Sequence, residues 1–355
     1  MRAPVPTNPG SLPTMSVADQ IHSELAGAGT LDSVGRFEID ERAAIAKLRV
    51  HQLENPHDYI AHLVDGATLA GAVAVDVTID GPELTLSFVA ADGAALPEAR
   101  LIRLLSVLVA DVPAEGGPFT RPAMLALAVG VNAALGLPAT EVVVTSVDAQ
   151  GRGHEVRLGK EQPEHGPITI GQPGTRIVVR GRGSAGYVAR DRDVQQLRRR
   201  CHYAVANVTL YGSLLSYFDW VVNRAVDGGT PLPGAWSGPW MRAALVRRVG
   251  DRGCAIDLVS PTGIVIETLP LTGAEGVRGA VMVDLERDLS RSKFIRGPEF
   301  DHVVKSLAPQ LRLAVEQLAT EDAKHKGVMD KHSERVFYAA LGVIVLVVVL
   351  LSALG

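Results

Sequence analysis

The longest hydrophobic segment of the chain runs from Val336 to Leu354 and contains no charged residue. As an α-helix it would extend roughly 28 Å, close to the thickness of the hydrocarbon part of a bilayer. Lys324, Lys326, Lys331 and Arg335 precede the segment, and no lysine or arginine follows it. Because basic residues favour the cytoplasmic side, the pattern predicts one membrane-spanning helix with the preceding residues in the cytoplasm. A buried core helix is the alternative explanation.

Upstream of this segment, the apolar residues alternate between a helical and an extended spacing. Val73–Ile79 and Leu84–Phe88 alternate with the period of strands, and Asp80-Gly81 between them is typical of a hairpin turn. Helices are expected at Glu41–Leu53, His57–Gly71 and Glu98–Leu108, and further strands at Val142–Ser146, Gly153–Leu158 and Arg176–Arg180. Helices mixed with hairpins predict an α/β (α+β) sandwich with the helices on one face of a sheet.

The domain organisation is predicted from shifts in composition. Residues 181–193 are rich in glycine and arginine, which indicates a connector, and apolar patterns resume at Val194. The expected organisation is a disordered leader (1–36), a first α/β domain (37–180), the connector (181–193), a smaller second α/β domain (194–320), a juxtamembrane linker (321–335) and the membrane helix (336–354). Within the second domain, helices are expected at Val194–Tyr203 and Pro298–Ala319, and strands near Ala206–Leu210, Ala255–Leu258, Gly263–Ile266 and Ala280–Val283.

Charge and composition exclude several classes of function. The formal net charge of −4 gives no drive toward nucleic acid, so no nucleic-acid partner is expected. The basic run Arg198–Arg200 is interpreted as a solvated helix face. Neither Cys201 nor Cys254 has the spacing of metal ligands, and the ten histidines form no zinc or Ser-His-Asp pattern. No metal site is therefore predicted.

Glycines at positions 181, 183 and 186 spell a G-x-G-x-x-G sequence directly after an expected strand. A dinucleotide site needs the third glycine at the start of a helix, inside a repeating βαβ unit. That context is not predicted here, so the glycines are interpreted as part of the flexible connector.

A sequence around the second expected helix, His57–Val77, resembles the first nucleotide-binding motif of the GHKL ATPases. This superfamily includes the 90-kDa heat-shock chaperones, the mismatch-repair MutL proteins and DNA gyrase. The resemblance implies an ATP-binding α/β sandwich, with His62 at the position of the general base and Gly66 at that of the magnesium-binding asparagine. Glycine offers no side-chain ligand to a hard cation. The resemblance therefore implies ATP as the ligand, without a magnesium site and with weak or absent hydrolysis.

Four further residues fall on three other motifs of the same superfamily. Asp92-Gly93 matches the pair whose aspartate binds adenine, Gly130 matches a phosphate-facing glycine at a helix start, and Thr175 follows the glycine of the closing G-T pair. The resemblance implies cofactor contacts at these four residues. An ordinary surface turn at Asp92-Gly93 and a plain buried helix around Gly130 are the alternatives.

The second domain is similar to the middle domain of the heat-shock chaperones. Val194–Leu210 matches the segment that opens that domain, and Gly276–Ile295 matches a loop whose arginine reaches the ATP γ-phosphate. Arg291 occupies the place of that arginine. A guanidinium suits the role because it stays charged and binds phosphate through two nitrogens. A salt bridge with an acidic residue of the same loop is the alternative.

These observations predict a membrane-anchored, chaperone-like protein whose degenerate GHKL domain acts as a protein-binding scaffold. Its partners would be unidentified client proteins and, through the C-terminal helix, membrane lipid; a homodimer is left open. The first alternative is an active ATP-dependent chaperone that uses His62 as a substitute base. A histidine-kinase remnant and a purely structural adaptor are further alternatives.

Overall fold

In a computed structural model, the chain divides into two compact units, Met1–Asp40 and Glu41–Gly355. The structure describes residues 40–110, 117–137, 139–159, 163–169, 171–181, 183–216, 230–231, 242–247, 255–270, 277–306, 309 and 316. The predicted leader, juxtamembrane linker and membrane helix lie outside these residues, as does Cys254. Across the described ranges, no helix has the length and apolar character needed to cross a bilayer.

An eight-stranded mixed sheet forms the larger layer of the second unit. Its order is β5-β4-β3-β6-β2-β1-β7-β8, and all neighbours are antiparallel except β1 and β7. The strands are β1 Ala74–Asp80, β2 Glu83–Phe88, β3 Ala139–Val147, β4 Gly153–Leu158, β5 Glu164–Ile168, β6 Gly174–Gly181, β7 Asn207–Leu210 and β8 Ser213–Leu214. The expected hairpin is confirmed, since β1 and β2 pair in register from Val75–Phe88 to Asp80–Glu83.

Helices cover one face of this sheet. Alternate residues of β1 are buried, including Val75 and Val77, while the residues between them are exposed. This period-two pattern confirms the predicted sandwich with helices on one side. The helices are α1 Glu41–His51, α2 Tyr59–Leu69, α3 Glu98–Ile102, α4 Arg121–Ala134 and α5 Gly183–Cys201, with short 3₁₀ segments at Pro56–Asp58, Ala91–Gly93 and Leu104–Leu108.

The prediction of a connector at residues 181–193 is wrong at the level of secondary structure. Residues from Gly183 onward belong to the 19-residue helix α5, which begins directly after β6. Two charged side chains of the expected connector, Arg190 and Asp193, are buried. Their contacts with other parts of the fold hold this glycine-rich stretch in a helix against its low intrinsic propensity.

A second sheet has the order β12-β11-β13-β10-β9. Its strands are β9 Thr230–Pro231, β10 Arg242–Arg247, β11 Ala255–Val259, β12 Val265–Pro270 and β13 Val277–Met282, and residues 298–306 form a helix that follows them. The strand expected near Ala206–Leu210 is present as β7, but it pairs with β1 in the first sheet. The division of the chain into domains stays a prediction.

One cluster of buried apolar side chains joins the two sheets. It includes Leu63 and Leu127 from the helices over the first sheet, and Leu258, Ile266 and Val281 from the second. Gly263, in the turn between β11 and β12, has φ 85°, and a Cβ there would lie 2.2 Å from the carbonyl oxygen of Tyr203. This close approach places the β11–β12 turn against the end of α5 and next to α2.

Candidate functional site

Asp65, in the middle of α2, is the centre of a buried polar cluster. Its side chain is fully buried, in a helix that is otherwise almost entirely apolar. The Thr262 hydroxyl donates to Asp65 Oδ1, and Arg287 Nη1 donates to Oδ2 at 2.7 Å. Arg291 Nη2 lies 3.9 Å from the same Oδ2. Thr262 comes from the β11–β12 turn and the two arginines follow β13, so Asp65 ties α2 to the second sheet.

The charges of this cluster determine the ionisation of Asp65. Burial alone raises the pKa of its carboxyl, but the Arg287 charge, the hydrogen bonds from Arg287 and Thr262, and the Arg291 charge outweigh that effect. The net result is a pKa below the usual value, so Asp65 is ionised at neutral pH. Both of its oxygens are engaged by protein donors, which leaves it poorly placed to bind a metal ion.

His62 lies one turn before Asp65 on α2 and is also buried. Burial lowers its pKa to about 3; the Asp65 charge acts in the opposite direction, and the charges of Arg287, Arg291 and Arg200 add to the lowering. The imidazole is therefore neutral at physiological pH. A general base works best when its pKa lies near the working pH, so His62 is poorly matched to activate water.

The two arginines of the cluster lie on residues 284–296, which we call the arginine loop. Arg287 and Phe294 form a bridge at its base, and the Asp288 carboxylate accepts hydrogen bonds from the Ser290 hydroxyl and the Ser292 amide. Arg291 has φ 55°, in the left-handed region that non-glycine residues rarely adopt. The turn brings Arg291 to the Asp65–His62 cluster, which unites the two positions for which the sequence predicts a catalytic role.

The Arg291 guanidinium is only partly satisfied there. Burial lowers its pKa, the neighbouring Arg287 lowers it further, and Asp65 acts in the opposite direction. Within the described part of the chain its Nε is buried and has no hydrogen-bond partner. Arg291 forms its ion pair with Asp65 of α2. The alternative prediction, a salt bridge with an acidic residue of the same loop, is not what the described residues form.

Arg200 departs from the solvated face predicted for the basic run. Arg198 and Arg199 are exposed, as expected. Arg200 instead binds both carboxylate oxygens of Asp58, with Nε donating at 3.3 Å, and its Nη1 donates to the Val265 carbonyl at 3.0 Å. It is therefore a second link between the helical layer and the second sheet.

A separate network fixes the start of α2. Asp193 of α5 is fully buried and contacts His57 Nδ1 at 2.8 Å, the Tyr59 hydroxyl at 2.8 Å and Arg190 Nε at 2.9 Å. Arg190 Nη1 also donates to the Val179 carbonyl at 3.1 Å. These contacts hold α2 against α5 and thereby position His62 and Asp65.

Gly66 and Gly130 bring α2 and α4 into direct contact. A Cβ at Gly66 would lie 2.6 Å from Leu127 Cγ, and one at Gly130 would lie 2.6 Å from Leu63 Cδ2. Leu127 thus fills the space over Gly66, and Leu63 fills the space over Gly130. Both glycines serve a close helix crossing, and Gly130 lies inside α4 rather than at its start.

The three remaining predicted cofactor residues lie at one end of the large sheet. Asp92 and Gly93 form a 3₁₀ turn after β2, with φ 57° and 64°, and Asp92 is exposed. Thr175 lies on β6 and is buried; its hydroxyl is 2.9 Å from that of Ser146, which accepts a hydrogen bond from the Leu96 amide. Gly130 and the His62–Arg291 pair are on other elements. The structure therefore places Asp92, Gly93 and Thr175 at one end of the sheet, whereas Gly130 packs against α2, the helix that carries His62.

These residues do not fit a magnesium–nucleotide site. The position expected to carry the magnesium ligand is a glycine covered by Leu127, and the only carboxylate on α2 is engaged by Thr262 and Arg287. Among the described residues, no group of three or more His, Cys, Asp or Glu side chains could hold a metal ion.

No sequence motif marks Asp65, Thr262 and Arg287 as a cluster. Thr262 and Arg287 lie 197 and 222 residues from Asp65 along the chain, so no local pattern links them. One signal was present: Asp65 is the only acidic residue in the apolar segment Tyr59–Leu69. A charge within a buried helix needs a partner, which predicts a buried ion pair there.

Two cavities flank α1. A groove of about 800 Å³ separates it from the arginine loop and is lined by Ala44, Leu48, Leu289 and Ile295 among others. On its other side lies a cavity of about 630 Å³. None of the predicted site residues is among the described residues that line these two cavities.

Comparison with known proteins adds little to this geometry. No protein-family model and no curated protein sequence matches the chain. Among solved structures, the chain is similar to the ATPase domain of the mismatch-repair endonuclease MutL from Aquifex aeolicus, with 13% identity and a TM-score of 0.42 over 72% of this chain and 99% of that one. A single-residue variant of that domain gives 12% identity and a TM-score of 0.41. A likeness this low carries no argument about activity.

Proposed function

We propose that the chain is a membrane-anchored, protein-binding scaffold with a GHKL-type domain that does not hydrolyse ATP. The α2–α4 contact carries this proposal. Leu127 and Leu63 occupy the space in front of the two glycines at which the family would bind magnesium and phosphate. The buried, neutral His62 and the fully engaged Asp65 support the same conclusion. The closeness to the heat-shock chaperones rests on the sequence motifs.

The protein-binding part of the proposal is supported by the groove between α1 and the arginine loop. Leu289 is 91% exposed at its edge and Ile295 is 46% exposed. Exposed apolar side chains that border a groove are typical of surfaces that bind other proteins. Cytoplasmic orientation and membrane attachment through Val336–Leu354 are proposed from the charge pattern alone.

An active ATP-dependent chaperone is the second candidate. One observation favours it: the two positions with a predicted catalytic role, His62 and Arg291, lie around the same aspartate. Arg291 also has a buried Nε that no described residue satisfies, and an anion could accept its hydrogen bond.

Calorimetric titration of the full chain with ATP, with and without Mg²⁺, tests the proposal. Because Gly66 supplies no ligand, any affinity should be the same in both conditions. Affinity that rises on adding Mg²⁺ would contradict the proposal and favour the active chaperone. Absence of binding at millimolar ATP would contradict the nucleotide binding that the sequence motifs imply.

A further inference from the structure

The cavity on the sheet side of α1 combines an aliphatic lining with one poorly neutralised guanidinium. It encloses about 630 Å³, within the usual range for sites that bind small molecules. Its described apolar lining contains no aromatic side chain and includes Ile45, Ile102, Leu105, Leu135 and Leu158. An aliphatic chain suits this lining better than a planar base, for which proteins commonly provide an aromatic partner.

Arg49 is the charged residue that gives the cavity its specificity. Its Nε donates to Asn132 Oδ1 at 3.2 Å, and Asn132 Nδ2 in turn donates to the Ile45 carbonyl at 3.2 Å. Asn132 is fully buried in α4, so the orientation of the guanidinium is set by a rigid helix. The contact with Asn132 uses Nε and leaves the two terminal amino groups without a partner among the described residues.

No carboxylate of the described residues serves as a counterion to Arg49. Burial lowers the pKa of its guanidinium, and no carboxylate of the described residues lies close enough to act in the opposite direction. Glu41 and Arg42, which carry opposite charges, also line the cavity. A half-buried guanidinium without a carboxylate partner is costly, and an anionic ligand would remove that cost.

We propose that this cavity binds a single-chain aliphatic carboxylate, with its carboxylate on the terminal amino groups of Arg49 and its hydrocarbon chain on the aliphatic lining. A planar guanidinium matches a carboxylate through two parallel hydrogen bonds. None of the predicted nucleotide-binding residues lines this cavity. The proposal can therefore be tested independently of the proposed function.

Calorimetric titration of the full chain in lipid nanodiscs with octanoate, using empty nanodiscs as the blank, tests the proposal. Octanoate should bind at one molecule per chain, and octan-1-ol, which has the same hydrocarbon chain and no charge, should bind at least about tenfold more weakly. If octanoate and octan-1-ol bind the wild-type chain equally, or if octanoate does not bind saturably, the proposal is overturned.

Two variants of α1 locate the site. Arg49→Met should weaken octanoate binding by about tenfold or more, because it removes the charge and keeps the aliphatic stem. Lys47→Met removes a charge from the same helix but on the side of the other cavity, so it should bind octanoate like the wild type. Both variants should unfold thermally like the wild type. If they then lose octanoate affinity equally, octanoate is attracted by general surface charge and the proposed site is rejected.

Discussion

At position 62 the imidazole is 5% exposed and lies among the charges of Asp65, Arg287 and Arg291. The resemblance of the sequence to the GHKL ATPases makes this residue a candidate base, because it aligns His62 with the catalytic glutamate of those proteins. Burial changes that expectation, since a proton on His62 would be both desolvated and close to two arginines. An exposed histidine keeps its ordinary pKa near 6.5 and could act as the base that the sequence predicts.

The lowered pKa of His62 predicts how stability depends on pH. The unfolded chain takes up a proton near pH 6.5, whereas folded His62 does so only near its pKa of about 3. Stability from this group is therefore lost as the pH falls below about 6.5, by on the order of 2 kcal/mol between pH 7 and pH 5. Denaturant titrations at both pH values should show a smaller loss for His62→Gln than for the wild type. The control is His302→Gln, at an exposed histidine, which should lose as much unfolding free energy between the two pH values as the wild type. If His62→Gln also loses as much as the wild type, His62 is not buried and neutral in the folded protein.

At the scale of elements, α2 and α4 cross in close contact at the two glycines for which the sequence motifs imply contacts with magnesium and phosphate. Leu127 of α4 packs over Gly66 of α2, and Leu63 of α2 packs over Gly130 of α4, so the two backbones approach closely. The Gly66 and Gly130 positions were predicted from family motifs, whereas the structure uses them for packing. Packing of this kind leaves little room for a ligand.

Gly66→Ala should destabilise the protein, although alanine usually favours a helix by about 1 kcal/mol over glycine. The new Cβ would lie 2.6 Å from Leu127 Cγ and 3.0 Å from the Leu127 backbone nitrogen, so we expect a net loss of about 1–3 kcal/mol. Denaturant unfolding measures this. Gly297→Ala, where no atom lies within 4 Å, is the control and should change stability little. A stabilised Gly66→Ala variant would show that α2 and α4 are not in close contact.

At the scale of the whole molecule, Asp65 and Arg200 link the helical layer of the large sheet to the second sheet. These links come from residues far apart in sequence, and they lie within one continuous apolar core. The second sheet is therefore held against α2 by buried ion pairs as well as by apolar contacts.

Asp65→Asn should weaken this link strongly. Removing the carboxylate leaves Arg287 buried without its partner, which typically costs about 3–5 kcal/mol. Adding Arg287→Met should recover part of the loss, because no unpaired charge then remains. Glu54→Gln, which breaks the exposed Glu54–Lys293 pair, is the matched control and should have little effect on denaturant unfolding. Equal effects of the two single variants would contradict the buried link.

Membrane attachment is a second prediction at this scale. The full chain should remain with the membrane fraction after carbonate extraction, because Val336–Leu354 supplies enough apolar length to span a bilayer. A chain that lacks residues 336–354 should be recovered in the supernatant. Recovery of the full chain in the supernatant would contradict the predicted anchor.

Much of the fold follows from local patterns, whereas the site does not. The alternation of Val75 and Val77 predicted a half-buried strand, and the apolar run around Leu63 predicted a buried helix. Strand β5 was missed because Glu164–Ile168 contains glycine and proline and lies at a sheet edge, where local preference is weak. The second half of helix α5 was predicted as Val194–Tyr203, but its first half was missed because the stability of that part comes from contacts such as Asp193 with His57, 136 residues away.

The central claim is that the chain does not hydrolyse ATP, and steady-state turnover of Mg-ATP by the full chain tests it most directly. We expect the wild type to release phosphate no faster than His62→Ala and Arg291→Ala, because His62 is buried and neutral and Leu127 covers Gly66. Turnover that requires Mg²⁺ and is abolished by His62→Ala would contradict the account.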